Sequence, residues 1–464
     1  MARSTPDWEA LQRSIAGVVE LPDSESYERA SRPFNARFDP VRPLGIVRCA
    51  NPQDVAGTIA FVRRHGLEHA TRSGGHSFAG GSSTGGLLID VSTMRSVSVD
   101  GAVARIGAGA SLGDVYEALH EHGLAIPAGT CPSVGIAGLT LGGGLGILGR
   151  KYGVTSDRLI GAEVALADGR VVRCDEHHDE DLFWALRGAG AGTLGVVTSF
   201  EFLTVPEPAV TNFHLSWPYD HAAEVVEAWQ RWAPTGPDEL AASLKVTTSE
   251  DVADPPSVDI YGAVLEGGSD ATSTLEGLLA RVGSDPLSAT QRQMSFPETR
   301  RFWAQLDAER NEAGDDPDAE PTEHPYLFCR SEFFGRSLPA EAIAALLETF
   351  LRERAPGEAR ELDFMPWGGA YNRVPSDDTA FVHRDELFLL KHSVVVDPSA
   401  STGAKEGAHR QVDASWASVH AWGSGRMFQN FADPDLDAWA DAYVGPNHDR
   451  LNQIKARYDP SDFF

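Results

Sequence analysis

His76 and Cys131 are the two residues whose type and setting could do chemistry that an ordinary turn would not require. His76 lies in the run Arg72-Ser73-Gly74-Gly75-His76-Ser77, and Cys131 in Gly129-Thr130-Cys131-Pro132-Ser133-Val134. Taken singly, each has a bland explanation: a loop histidine satisfied by hydrogen bonds, or a cysteine acting as a small buried hydrophobe. Their loops, however, belong to three glycine-dense stretches at 72–83, 129–153 and 187–202. Glycine lets backbone approach a ligand closely and turn N–H groups toward phosphate. Three such stretches without a regular repeat point to one large ligand threaded through the fold.

Within the second stretch, Gly144-Leu145-Gly146-Ile147-Leu148-Gly149 matches the GxGxxG of nicotinamide-binding Rossmann units, with Glu163 about twenty residues on. The residues before it, VGIAGLTLGG, are too rich in glycine to form the central strand that should deliver that turn. The match is therefore set aside.

The surrounding elements must position these loops. Trp8 to Val18 reads as a short helix. From Val41 to Val205, β-branched runs alternate with helical stretches. IVRCA precedes the amphipathic QDVAGTIAFVRRHG, and LLIDVS reads as a buried strand. SLGDVYEALHEHG is a helix with Ser111 as N-cap and Gly123 as its stop. AEVALADGRVVRC reads as a hairpin through Asp168-Gly169, and LGVVTSFEFLTV as a long closing strand. Beyond Pro206, amphipathic helices (HAAEVVEAWQRWA, ATSTLEGLLARVG, AEAIAALLETFLRER) alternate with strand runs such as SVDIYGAVLEG and LFCRSEFFG. That pattern predicts an antiparallel sheet with helices on one face, an α+β arrangement. The acidic, proline-rich segment 311–325 reads as an exposed loop.

Length and charge bound the rest. A chain of 464 residues exceeds one ordinary core, so two domains are expected. The formal net charge of -28 repels phosphate backbones and anionic lipid, which argues against nucleic acid or membrane partners. No apolar run approaches the ~18 residues of a membrane span, and the N-terminus lacks a signal-peptide stretch. Four widely spaced cysteines, with no CxxC pair, indicate neither a disulfide framework nor a metal site. A cytoplasmic monomer or homodimer is the resulting expectation.

The run 72–80, the GTCPSVGIAG block with GGGLG and RKYG, LFWALRGAGAGTLGVVTSFEF, and the closing AYVGPNHDRLNQIKARYDPSDFF together resemble the berberine-bridge-enzyme-like oxidases. These belong to the vanillyl-alcohol oxidase / p-cresol methylhydroxylase superfamily. The resemblance is strong over 41–205 and 360–464 and weak between. It implies a PCMH-type FAD-binding fold made of 1–205 and a returning segment 411–464, with a substrate domain at 206–410. It implies FAD held bicovalently, with His76 on the flavin 8α carbon and Cys131 on C6. The loop residues Arg72, Ser73, Gly74, Gly75 and Ser77 would hold the diphosphate by their backbone N–H groups. Gly129, Thr130, Gly135, Gly138, Gly143 and Val197 would lie along the cofactor, with Asn447 close to the flavin. Val134 occupies the position that gates oxygen in relatives, where valine accompanies oxidases that reduce O2 to H2O2.

One departure limits the mechanism. The family's base is the last tyrosine of a Tyr-x-Asn-Tyr motif, and this chain has Phe428-Gln429-Asn430-Phe431. Phenylalanine keeps the wall but takes no proton. Tyr371 is the favoured replacement base. His383 and Arg384 match a motif that looks structural in relatives, while Asp377, Asp378 and Tyr326 are weaker candidates. A substrate already activated, as a phenol or hemiacetal is, would need no strong base. The implied function is oxidation of an alcohol or related C–H centre of a small molecule, a sugar or secondary metabolite, with hydride passing to flavin N5. A dehydrogenase with another acceptor and a weakly catalytic flavin-binding protein remain as alternatives.

Overall fold

The β-branched runs of the first 205 residues form two small sheets in the computed structural model, which describes residues 6–190, 192–265, 271–311 and 325–464. One sheet has the order Val18–Glu20, Gly45–Arg48, Leu87–Asp90, His69–Arg72. Its last three strands run parallel, and its first is antiparallel. The second is antiparallel throughout, in the order Val97–Asp100, Val103–Gly107, Val196–Leu203, Leu159–Ala165, Val171–Asp175. Val47, Ile89, Ile106, Val164 and Phe200 are wholly buried where these layers meet. Such burial contributes about 1.5–3 kcal/mol for each large side chain.

Several local expectations hold in detail. Ser111 caps the helix Leu112–His120 through a reciprocal box: Asp114 N–H donates to Ser111 Oγ and Ser111 N–H to Asp114 Oδ2, both at 3.1 Å. Gly169, at φ +87°, turns the hairpin between Leu159–Ala165 and Val171–Asp175. The first helix is shorter than its sequence pattern suggests, covering Trp8–Ser14. Val18 and Val19 instead join a strand, where β-branched side chains lose less freedom than in a helix.

Beyond Pro206 the predicted antiparallel sheet has seven strands. Their order is Ser288–Met294, Val210–Pro218, Ser257–Leu265, Leu240–Thr248, Glu358–Pro366, Phe388–Val396, Tyr326–Phe334. Side-chain alternation gives it two distinct faces. Leu244, Val246, Ile260 and Phe364 pack into the helices Ala222–Trp232, Ala271–Val282 and Ala340–Leu351. Ala241, Tyr261 and Ala263 pack on the N-terminal core instead. The helix Thr402–His420 also covers this sheet, so an expected division at 410 falls inside it.

A third cluster lies on the seam between the two halves: Phe333, Met365, Trp367, Tyr371, Phe381, Leu389 and Phe428. After it the chain returns to the N-terminal layers. The helix His448–Tyr458 is tied there by Tyr458, whose hydroxyl meets Asp179 Oδ1 at 2.7 Å. Of the acidic loop expected at 311–325, residues 312–324 lie outside the described residues. No described helix is long and apolar enough to cross a membrane.

Candidate active site

A cavity of about 610 Å³ lies between the glycine-rich loops and the seven-stranded sheet, in the size range of small-molecule sites. His76 and Cys131 both line it. Their loops cross backbone on backbone: a Cβ added at Gly74 would sit 2.3 Å from the Gly135 nitrogen. The His76 ring stacks on Phe34 with centroids 4.3 Å apart, and burial lowers its pKa to about 4. It is therefore a neutral imidazole with a nitrogen lone pair. Cys131 Sγ lies 3.3 Å from Ser133 Oγ. Val134 lines the cavity three residues on, and its carbonyl accepts from Leu112 N–H at 2.9 Å.

Asn430 ties the C-terminal segment to this cradle. Its side chain donates to Gly138 O and accepts from Gly144 N–H, each at 3.0 Å. A Cβ at Gly138 would meet nothing within 4 Å, so that backbone faces open space.

The opposite wall is the sheet. Its register aligns Asp259, Lys245, Asp363, Lys391 and Ser331 as one row across five strands. Lys245, Asp363 and Lys391 line the cavity. Glu361, one step along the same face, lies 3.0 Å from both ammonium groups, and Asp363 lies 3.8 Å from Lys245 and 3.7 Å from Lys391. Burial opposes charging Glu361, but the two lysines outweigh it and hold its pKa below the ordinary range. Burial likewise opposes charging Lys391, and Glu361 with Asp363 reverses the sign and raises its pKa. The wall is a locked, alternating row of donors and acceptors. Phe431 closes it, with Lys391 Nζ 5.3 Å from its ring centroid.

Two family models match: an FAD binding domain over residues 43–175, and berberine and berberine like over 427–464. An uncharacterised FAD-linked oxidoreductase of Bacillus subtilis is 32% identical over 459 residues, 97% of this chain and 96% of the relative. The chitooligosaccharide oxidase of Gibberella zeae is 30% identical over 466 residues, covering 95% of this chain and 89% of its own. The chain belongs to the berberine bridge enzyme-like FAD-linked oxidoreductases. Among solved structures, glucooligosaccharide oxidase from Acremonium strictum superposes with a TM-score of 0.86 at 26% identity, over 98% of this chain and 97% of that one. That protein carries a 6-S-cysteinyl, 8α-N1-histidyl FAD.

The residues of this FAD-linked oxidoreductase fit the cofactor: a neutral imidazole, a thiol and glycine backbone face one cavity. Ser73, Gly74, Gly75 and Ser77 line it, as do Gly129, Thr130, Gly135, Gly138 and Val197. Arg72 borders it as well, and its guanidinium donates to the carbonyls of Ala30 at 2.6 Å, Ser31 at 3.1 Å and Ser82 at 2.9 Å, which bolts the loop in place. Two expectations need correction. Gly143 is not in the wall; at φ +107° it packs on Phe381, where a Cβ would come within 2.5 Å. Asn447 is spent on the carbonyls of Ser376 at 2.7 Å and Thr379 at 3.2 Å, outside the cavity lining.

The proposed bases fare poorly. Tyr371 touches the cavity, yet it stacks on Trp367 at 4.2 Å and its hydroxyl donates to Gly146 O at 3.3 Å. Burial raises its pKa further, so it neither reaches outward nor ionises readily. His383 is held by Gln429 Oε1 at 2.9 Å, and Arg384 is paired with Asp157 at 2.7 Å. Asp377, Asp378 and Tyr326 do not line the cavity. The GxGxxG run ends in the short helix Gly149–Tyr152, and Glu163 sits in an antiparallel strand beside Thr198, so that run does not open a βαβ unit. The row of Lys245, Asp363 and Lys391 was not anticipated. Its signal was charge alternating with apolar residues inside strand-like runs, SLKVT, ELDFM and FLLKHS.

Proposed function

We propose that this protein is a bicovalent flavin oxidase acting on a CH–OH centre of an uncharged, polyhydroxylated small molecule such as an oligosaccharide. The observation that carries this reading is the opposition of two surfaces across one cavity: His76 and Cys131 on one side, the Lys245–Asp363–Lys391 row on the other. FAD, held through His76 and Cys131, would supply a two-electron acceptor that molecular oxygen can regenerate.

The chain's own groups do the rest. Asp363, the carboxylate that lines the cavity 3.8 Å from Lys245 and 3.7 Å from Lys391, accepts the substrate hydroxyl proton. It takes the role that Phe431 cannot fill, which weakens the alternative of a flavin-binding protein with little catalysis. Lys245 and Lys391 donate to neighbouring hydroxyls, and their charges are already balanced, so an anionic substrate gains little. Phe431 and Phe78, 5.3 Å apart edge to face, exclude water at the rim. Val134 leaves oxygen a narrow approach. The oligosaccharide assignment also draws on the names of the relatives from Gibberella zeae and Acremonium strictum.

Anaerobic mixing with a panel of neutral oligosaccharides, sugar acids and aromatic alcohols tests the reading through bleaching of the flavin absorbance. Bleaching by the neutral sugars, with one peroxide formed per turnover in air, is expected. Bleaching only by aromatic alcohols or sugar acids would overturn the substrate class. Absence of peroxide would overturn the oxidase assignment in favour of a dehydrogenase.

A further inference from the structure

Lys455, in the helix His448–Tyr458, donates to three acceptors: Thr193 O at 2.9 Å, Asp459 Oδ2 at 2.7 Å and Phe464 O at 2.6 Å. An ammonium group has three hydrogens, so each one has its own acceptor. Asp459 is 1% exposed and gathers the same segment from the other side. Its Oδ2 also accepts Phe463 N–H at 2.8 Å and Phe464 N–H at 2.9 Å. Residues 455–464 are thereby drawn into a knot. Of the three acceptors, only Thr193 lies outside it.

The knot grips two of the three glycine-dense stretches. Thr193 stands in the third, between Gly192 and Gly195, and both glycines line the cavity together with Val196 and Val197. Gly192 lies in the left-handed region at φ +75°, a conformation that a glycine loses freedom to hold. A hydrogen bond from a charged donor to the next carbonyl is among the stronger tethers available to such a turn. The Phe463 ring, meanwhile, stacks on His69 with centroids 4.2 Å apart and planes at 20°. His69 opens the strand His69–Arg72, which runs directly into residues 73–76 of the first stretch. The two grips converge, because a Cβ at Gly192 would lie 3.9 Å from Thr71 Oγ1 on that strand. Lys455 and Phe463 do not line the cavity themselves, so any effect on its contents passes through these loops.

We propose that Lys455 is a positioning residue for the cofactor: by holding Thr193 O it fixes residues 192–197 against the cavity, beside the strand that leads to His76. The claim rests on that cavity being the FAD site and on none of the oxidation chemistry.

Lys455→Met, which keeps the length of the side chain and removes its donors, tests this in protein prepared with ample FAD. The ratio of flavin to protein absorbance measures loading, and hydrogen–deuterium exchange of peptides covering 192–197 measures the loop. Loading should fall, and protection of the loop should drop about tenfold, as expected for losing a hydrogen bond from a charged donor. Lys455→Arg, which restores charged donors, should recover most of both. Tyr458→Phe is the control: it removes the bond to Asp179 from the same helix and does not touch the glycine-dense stretch. It should lower Tm while loading and loop protection stay at the wild-type level. Wild-type loading and protection in Lys455→Met overturn the proposal. Equal losses in Tyr458→Phe also overturn it, because docking of the helix as a whole would then be the cause. Should Lys455→Met fail to fold, Lys455→Gln, which can still serve one acceptor, is read in the same way. A wild type without flavin would sink the cofactor reading and this proposal with it. A loaded wild type beside an equally loaded Lys455→Met sinks this proposal alone, and neither measurement needs a substrate.

Discussion

Gly74 and Gly135 meet so closely that a Cβ on either would lie 2.3 Å from the other's backbone nitrogen. This contact brings the His76 loop and the Cys131 loop onto one cavity, although 55 residues separate the two side chains in sequence. Neither glycine has a positive φ, so proximity and not backbone conformation demands it. Each is a place where only a hydrogen atom fits.

Gly135→Ala should accordingly destabilise the protein by about 1–3 kcal/mol or more and lower the fraction of chains that carry flavin. Thermal unfolding and the ratio of flavin to protein absorbance measure the two effects. Gly403→Ala is the control, because a Cβ there meets nothing within 4 Å and the site lies in the helix Thr402–His420. A fully flavinylated, unperturbed Gly135→Ala would show that the crossing is not required.

Asp363→Asn should slow reduction by substrate about 10²- to 10⁴-fold while leaving the flavin attached. Tyr371→Phe should stay within about a few-fold of the wild type, since its hydroxyl serves Gly146. Rapid-mixing absorbance under anaerobic conditions compares them. The reverse order of effects would return the base to Tyr371.

The sequence exposed the first half of this site and hid the second for a physical reason. Glycine clusters, Ser111 and Asp168-Gly169 act through local backbone geometry, which a single stretch of chain displays. The loop carrying His76 and the one carrying Cys131 could thus be singled out without knowing how they meet. Lys245, Asp363 and Lys391 acquire meaning only from the register of separate strands, Lys245 lying more than a hundred residues before its partner Asp363. Asn447 misled because a polar side chain expected beside a ligand can as readily tie down carbonyls. The antiparallel sheet and its helices were legible from periodicity, whereas the ending of the first helix at Ser14 was set by pairing with Gly45–Arg48.

Val134→Leu should slow reoxidation by oxygen more than reduction by substrate. Val134 borders the cavity within the same turn as Cys131, and a leucine there adds one methylene toward the open space. Mixing the reduced protein with aerated buffer gives the rate directly. Equal slowing of both half-reactions would indicate general crowding, and an unchanged oxygen rate would remove Val134 from the oxygen path.

His383 sets an acid limit on stability. The ring is 1% exposed, stacks on Phe333 at 4.4 Å, and donates from Nε2 to Gln429 Oε1 at 2.9 Å. Nδ1 is buried without a hydrogen-bond partner among the described residues. A proton added there would place a charge in an apolar seam near Arg384 and Arg426, and desolvation foremost lowers the pKa to about 3. Because the folded value is below the ordinary 6.5, the associated stability is complete above pH 6.5 and is lost as pH falls toward 3. The full effect is on the order of 5 kcal/mol. His383→Gln keeps a donor for Gln429 but cannot titrate. It should be less stable than the wild type at pH 7, and the gap in Tm should close as pH drops from 6.5 to 4. A gap that stays constant over that interval would mean that His383 is already protonated or already exposed when folded.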